Sequence, residues 1–192
     1  MAKLTFFHGP MGAGKSEELL KVYRNYDRIG QQPIVYSFKD DNRFNDSNTF
    51  KVVSRNGDGI KATPFNKDTK FDGVAERNQQ SILIDEAQFI TEQQMYEIIN
   101  LVDNYNVDVL CFGLRTDAFV TLFEGSRLLF ECADKLVELK TLCAFCNRKA
   151  IMNARFVNGK QVYNGEQIQI GDQEYRGVCR KHYFSDLVLK EN

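Results

Sequence analysis

Tryptophan is absent from this 192-residue chain, proline occurs three times, and the only histidines are His8 and His182. No stretch of low complexity and no internal repeat interrupts it, which argues against linker-rich or repeat architectures. No apolar run approaches the length of a membrane span. The N-terminus reads as a strand, not a signal peptide, so the expected compartment is the cytoplasm. Charge of either sign is not in excess: 25 basic and 26 acidic side chains give a net charge of −1. That balance argues against nucleic acid or a membrane surface as partner. Five cysteines in a cytoplasmic chain are poor disulfide candidates and better metal ligands or buried thiols. With 43% hydrophobic residues, the chain suffices for one sizeable core and a small appendage.

What is present begins at once. An apolar segment, Lys3 to His8, runs into Gly9-Pro10-Met11-Gly12-Ala13-Gly14-Lys15-Ser16. This matches G-x-x-x-x-G-K-[ST], the phosphate loop. Glycines there let backbone N–H groups turn inward on an anion, and the following helix adds its positive end. Lys15 is expected to reach the terminal phosphates of ATP, and Ser16 to place its hydroxyl on Mg²⁺. His8, ending the strand, reads as structural.

Further along, Glu17 to Arg28 is helical in pattern, with Gly30 ending it, and Pro33 to Phe38 reads as a second strand. Lys39 to Phe71 is polar and expected to be mostly loop with short strands. Ser81 to Asp85 and Val107 to Phe112 are apolar runs of buried-strand type. Between them Thr91 and Gln94 form a capping-box signal for a helix reaching about Asn104. Lys135 to Leu139 reads as another strand. The alternation predicts an α/β fold of phosphate-loop (RecA-like) type, with a mainly parallel sheet flanked by helices. The texture changes after Thr141, so residues 1–140 are expected to form the ATP-binding domain and 141–192 a small second one.

Two constellations carry chemistry. Ile82-Leu83-Ile84 ends in Asp85-Glu86: Asp85 suits the Mg²⁺ shell, and Glu86 suits a general base near the γ-phosphate. Cys143-x2-Cys146 is followed by Cys179-x2-His182. Two such knuckles close a four-ligand site with no open position, hence structural Zn²⁺. Cys111 and Cys132 read as small apolar residues in a strand and a helix.

Together these elements resemble the type II thymidine kinases, the cytosolic and bacterial class. The resemblance runs from Thr5 to Tyr183. Beyond the phosphate loop it rests on Asp85-Glu86-Ala87-Gln88-Phe89, Phe112-Gly113-Leu114-Arg115-Thr116-Asp117, Ala133 to Lys140, and Tyr175-x3-Cys179-Arg180-Lys181-His182-Tyr183. It implies ATP-dependent phosphorylation of the thymidine 5′-hydroxyl, with Glu86 as base and Arg43 near the reacting phosphates. It further implies a nucleoside lasso over Asn147 to Val178. Tyr175 would lie beside sugar and base, and the backbone of Ile168, Gln169, Ile170 and Gly171 would bond the thymine edge. Met11, Phe119, Phe123 and Asn153 would line the pocket. A homotetramer and feedback inhibition by dTTP are implied as well. One segment departs: the family pattern continues from Arg-Thr-Asp into Phe-Arg-Gly, and here Ala118-Phe119-Val120-Thr121 stands instead. Either the loop shifts register so that Phe119 fills the aromatic's place, or the pocket differs. Two rival readings stay open: a family member with altered or lost nucleoside activity, and a non-catalytic phosphate-loop switch.

Overall fold

The computed structural model describes residues 1–38, 50–54, 57–77, 80–165 and 174–186. The first half alternates as expected: β1 (Leu4–His8), α1 (Lys15–Arg28), β2 (Ile34–Phe38), β3 (Lys51–Val53), β4 (Gly59–Lys61), β5 (Thr63–Phe65), β6 (Ser81–Ile84), α2 (Glu92–Tyr105), β7 (Asp108–Gly113), α3 (Glu124–Cys132) and β8 (Lys135–Glu138). Short 3₁₀ turns cover Asp72–Arg77 and Ala87–Phe89. Six strands make one sheet in the order β5-β2-β6-β7-β1-β8, parallel at every pairing.

Both faces of the sheet are covered, which explains the unbroken apolar runs. Leu4, Phe6, Ile82, Ile84, Val109 and Cys111 face α2 and α3, where Met95, Ile98, Leu101, Leu128 and Leu129 meet them. The alternate residues Val35, Leu83 and Phe112 face the other way, onto Leu19 of α1. The period-2 alternation of a strand therefore serves two cores at once. The capping box holds: Gln94 N–H donates to Thr91 Oγ1 at 3.3 Å, and Thr91 N–H to Gln94 Oε1 at 3.1 Å.

The polar segment, expected to be mostly loop with short strands, contains β3, β4 and β5, and β5 joins the main sheet. α3 has no side-chain cap to announce it, because Phe123 stands at its N-cap. Cys111 is fully buried in β7, as a small apolar residue should be, whereas Cys132, the last residue of α3, is exposed.

α3 also shows why a glycine opens it. A Cβ on Gly125 would stand 2.6 Å from Ala87 O and 2.8 Å from both Gln88 O and Ile90 O. These are backbone atoms of the turn beyond β6 and cannot rotate away. Gly125→Ala is expected to cost about 3 kcal/mol, as overpacking does, read from urea unfolding. A loss below about 0.5 kcal/mol, the usual size for an innocuous surface change, would mean that the turn gives way freely.

The C-terminal region is β-rich where it is described. β9 (Leu142–Cys143) pairs with β10 (Cys146–Lys149). β11 (Met152–Val157) is the centre of a three-stranded antiparallel sheet with β12 (Lys160–Val162) and β13 (Glu174–Val178). Asn158 and Gly159 connect β11 to β12 at φ 49° and 73°, the two left-handed residues a tight hairpin needs. A short helix, α4 (Arg180–Tyr183), follows β13. Met152, Ala154, Phe156, Val178 and Tyr183 give this lobe a small core of its own.

Candidate active site and metal cluster

The phosphate loop leaves the carboxyl end of β1. Gly12 and Gly14 adopt φ 78° and 75°, conformations that cost a side-chain-bearing residue about 1–2 kcal/mol. Ala13 N–H turns back to Pro10 O at 3.2 Å, and buried Lys15 points its Nζ to the same carbonyl at 3.2 Å. The lysine thus curls along the inside of the loop. Ser16 is the second residue of α1, partly exposed at the mouth. Gly9 is closely packed: a Cβ there would meet Leu139 O at 2.6 Å.

Asp85 and Glu86 follow the last residue of β6, one strand away from β1 across β7. The register sets Ile84 beside Cys111 and Cys111 beside Phe6. Both motifs therefore emerge at the same edge of the sheet, where ligands of open α/β sheets bind. Asp85 is buried, with its N–H on Tyr36 O at 2.8 Å.

Glu86 is a non-glycine residue at φ 53°, in the left-handed region. Strain of this kind collects at functional positions. Gln88 fixes the carboxylate. Its Nε2 donates to Glu86 Oε2, while its Oε1 accepts from Leu114 N–H at 3.1 Å. A Cβ on Gly113 would press on that amide at 2.9 Å. The sequence reading gave Gln88 no role. Its signal would have been a buried amide two residues from the acid.

The sequence-predicted pocket residues fall in several places. Asn153, on β11, is buried and committed to two backbone partners: Met11 N–H donates to its Oδ1 at 2.7 Å, and its Nδ2 donates to Thr116 O at 2.9 Å. It therefore ties the phosphate loop to the segment after β7. Met11 is partly exposed. Met11 O lies so near β13 that a Cβ on Gly177 would come within 2.6 Å of it. Phe123 is buried against Phe89, with ring centroids 5.6 Å apart. Tyr175 sits on β13 opposite Arg155. Arg43, Ile168, Gln169, Ile170 and Gly171 lie outside the described residues. His8 packs its ring on Phe6 and Phe130, at 5.5 and 4.9 Å, and burial pushes its imidazole below the ordinary value. Those contacts suit a structural side chain.

The unusual segment after Asp117 is caged. Asp117 Oδ1 accepts from Phe119 N–H at 2.8 Å and Thr121 N–H at 2.9 Å, and Asp117 N–H donates to Thr121 O at 2.9 Å. Val120 stands at φ 68°. For a β-branched residue this is a true outlier. Ala118 is buried, and Phe119 is partly exposed under the Arg155 guanidinium, 5.3 Å from the ring centroid.

Cys143, Cys146, Cys179 and His182 come together, with all ligand atoms within 4.8 Å of one another. Cys143 Sγ to His182 Nδ1 is 3.3 Å, Cys179 Sγ to His182 Nδ1 is 3.6 Å, and Cys146 Sγ to Cys179 Sγ is 3.8 Å. Metal–sulfur bonds of about 2.3 Å at tetrahedral angles place two sulfurs about 3.8 Å apart. The donor set and spacing therefore fit a four-coordinate structural ion. The β9–β10 hairpin presents the first pair, and the entry to α4 presents the second.

Among the described residues no helix is long and apolar enough to cross a membrane. The thymidine kinase family profile matches residues 2–183. A thymidine kinase of Escherichia coli is 47% identical over 196 aligned residues, covering 98% of this chain and 94% of the relative. That of Lactiplantibacillus plantarum is 45% identical over 188, covering 96% of each. That of Streptococcus pyogenes is 43% identical over 193, covering 98% of this chain and all of the relative.

Proposed function

We propose a full reaction from the premise that this chain belongs to the thymidine kinase family and is an enzyme that phosphorylates thymidine: the donor is ATP and the base is Glu86. The observation that carries this reading is the shared edge of the sheet, where the phosphate loop of β1 and the strained acid after β6 emerge one strand apart.

The backbone of Gly9 to Ser16 binds the phosphates. Lys15, drawn to Pro10 O when no phosphate competes, swings to the terminal phosphates and offsets the charge that builds there. Asp85 and Ser16 would hold Mg²⁺, which neutralises phosphate charge when bound. Glu86 removes the 5′-hydroxyl proton as that oxygen attacks the γ-phosphorus. The bond to the β–γ bridging oxygen breaks, and ADP leaves with the electron pair. Gln88 holds the carboxylate in place for that transfer.

The Cys3His cluster suits Zn²⁺ and fixes the C-terminal lobe against the phosphate loop, through Asn153 and the close approach at Gly177. The base then binds between Met11, Tyr175 and the segment after Asp117, with Phe119, Phe123 and the backbone of residues 168–171 completing the pocket. Arg43 joins the phosphates from outside the described residues. We divide the chain into a nucleotide domain, 1–140, and a nucleoside lobe, 141–192. A cytoplasmic homotetramer inhibited by dTTP completes the reading, and its support is the family resemblance.

A second reading, altered nucleoside preference, is favoured by one observation: Ala118-Phe119-Val120-Thr121, which stands where the family pattern has Phe-Arg-Gly, is held as a caged loop with Val120 left-handed. One assay separates the two. ADP release from Mg–ATP is measured with thymidine, deoxyuridine, deoxycytidine, deoxyadenosine or no nucleoside. Strong stimulation by thymidine and weaker by deoxyuridine is expected. Stronger stimulation by another nucleoside would favour the altered pocket. No stimulation by any would return the switch reading to the front.

A further inference from the structure

Tyr183 does something that the metal cluster and the pocket residues do not account for. It follows the ligand His182 and is buried in the core of the C-terminal lobe. Its backbone is pinned from three sides. Its N–H donates to Cys179 O at 2.9 Å, and its carbonyl accepts from Gln161 Nε2 at 2.9 Å and Tyr163 Oη at 3.0 Å. The side chain reaches out of the lobe, and its hydroxyl donates to Ala118 O, 65 residues earlier in the chain.

Ala118 O belongs to the loop that holds Val120 in its left-handed conformation. A valine in that region costs about 1–2 kcal/mol, so the conformation persists only where its surroundings impose it. Asp117 supplies the constraint from within the loop, and the Thr116–Leu122 bridge closes its base. From outside, Tyr183 holds the carbonyl of Ala118 and Arg155 covers Phe119. The same loop is tied to the phosphate loop, because Asn153 holds both Thr116 O and Met11 N–H. A rigid path therefore runs from the Cys179–His182 knuckle through Tyr183 to the strained loop.

We infer that Tyr183 is a positioning residue for nucleoside binding: its hydroxyl holds the Asp117–Thr121 loop in the strained form that the nucleoside meets. The inference rests on the proposed placement of the nucleoside beside that loop. Tyr183 touches no reacting atom. Its effect is on how much of the protein stands ready to bind, which enters the thymidine KM and not the chemical step.

The test uses the full-length, metal-loaded protein. Tyr183→Phe removes the hydroxyl and keeps the ring in the core. The expected result is a rise of about fivefold in the thymidine KM, the size of one buried hydrogen bond. The ATP KM, kcat and zinc content should stay close to wild type. Val120→Gly approaches the same loop from the other side. Glycine takes the left-handed conformation without the valine's cost, so the loop no longer needs the outside hold and the thymidine KM of Val120→Gly should stay at or below that of wild type. Because both act on one loop, Tyr183→Phe should raise the KM far less in the Val120→Gly background than in wild type. An unchanged thymidine KM in Tyr183→Phe overturns the inference. So does a parallel change in thymidine KM, ATP KM and zinc content, which would mark a merely structural residue. Fully multiplicative effects in the double variant overturn it as well. If Tyr183→Phe loses zinc while the ATP KM holds, the Val120→Gly background decides: a thymidine KM that rises as much there as in wild type ends the idea. Wild-type protein that neither binds nor phosphorylates thymidine would instead refute the functional reading beneath it, which the wild-type assay alone reveals.

Discussion

Glu86→Gln is expected to lower kcat by about 10²–10³-fold while leaving ATP affinity unchanged. The magnitude is that of losing a positioned general base. The substitution is close to isosteric, and the local geometry tolerates it. Gln88 Nε2 donates to Glu86 Oε2, and a glutamine at 86 can offer its own carbonyl oxygen to the same donor. The left-handed backbone at φ 53° is equally available to glutamine, so the turn and the melting temperature should hold. What disappears is the capacity to accept a proton. In the proposed reaction ATP is held by the backbone of Gly9 to Ser16 and the start of α1, whose own turns the substitution leaves in place. Turnover near that of wild type, with thymidine as acceptor, would remove Glu86 from the mechanism.

Cys146→Ser is expected to release the metal and raise the thymidine KM at least about tenfold, with an ATP KM shift under about threefold. The asymmetry follows from where the ligands sit. Structural zinc contributes on the order of 10 kcal/mol to small metal-dependent folds. Here it would join β9–β10 to the start of α4, across the whole three-stranded sheet. The lobe's core of Met152, Ala154, Phe156, Val178 and Tyr183 is too small to replace that contribution. The phosphate loop would lose Asn153 as partner of Met11 N–H and keep its own turns. Limited proteolysis between Cys143 and Cys179 should accelerate sharply in the variant. Unchanged cleavage would show that the metal does not order the lobe, and zinc-free protein purified without chelator would remove the clamp altogether.

How much of this was legible beforehand varies with the physics of each part. β1, β6 and β7 are buried on both faces, so their apolar runs stand out and end where the chemistry begins. The helix after Thr91 carries its start signal in two side chains. The metal ligands need only their spacing. The start of α3 was hidden because Phe123 stands at its N-cap and Gly125 in its first turn, neither a start signal; the glycine is there for three carbonyls that only the folded turn brings close. The place of β5 in the main sheet was hidden by Pro64, which a parallel sheet accepts here because β5 is its edge. The short strands of the C-terminal lobe mix faces too briefly for a period to show. The contacts of Gly177 and of the Tyr183 hydroxyl were illegible for another reason: each meets a backbone atom distant in sequence, which leaves no pattern along the chain.

The order of strands in the main sheet has a consequence for how the protein is made. The neighbours of β1 are β7 and β8, which emerge more than a hundred residues after it. Leu4 and Phe6 must wait on the ribosome with no strand beside them, and pairings this remote close slowly. The phosphate loop waits with them, since Gly9 N–H is held by Gly113 O and the end of β1 by Leu139 N–H on His8 O. A nascent chain that has exposed its whole glycine motif therefore still lacks the partners that hold the loop's entrance. In the proposed reaction, the site for phosphate is complete only after the strand carrying Lys135 to Glu138 has docked beside β1.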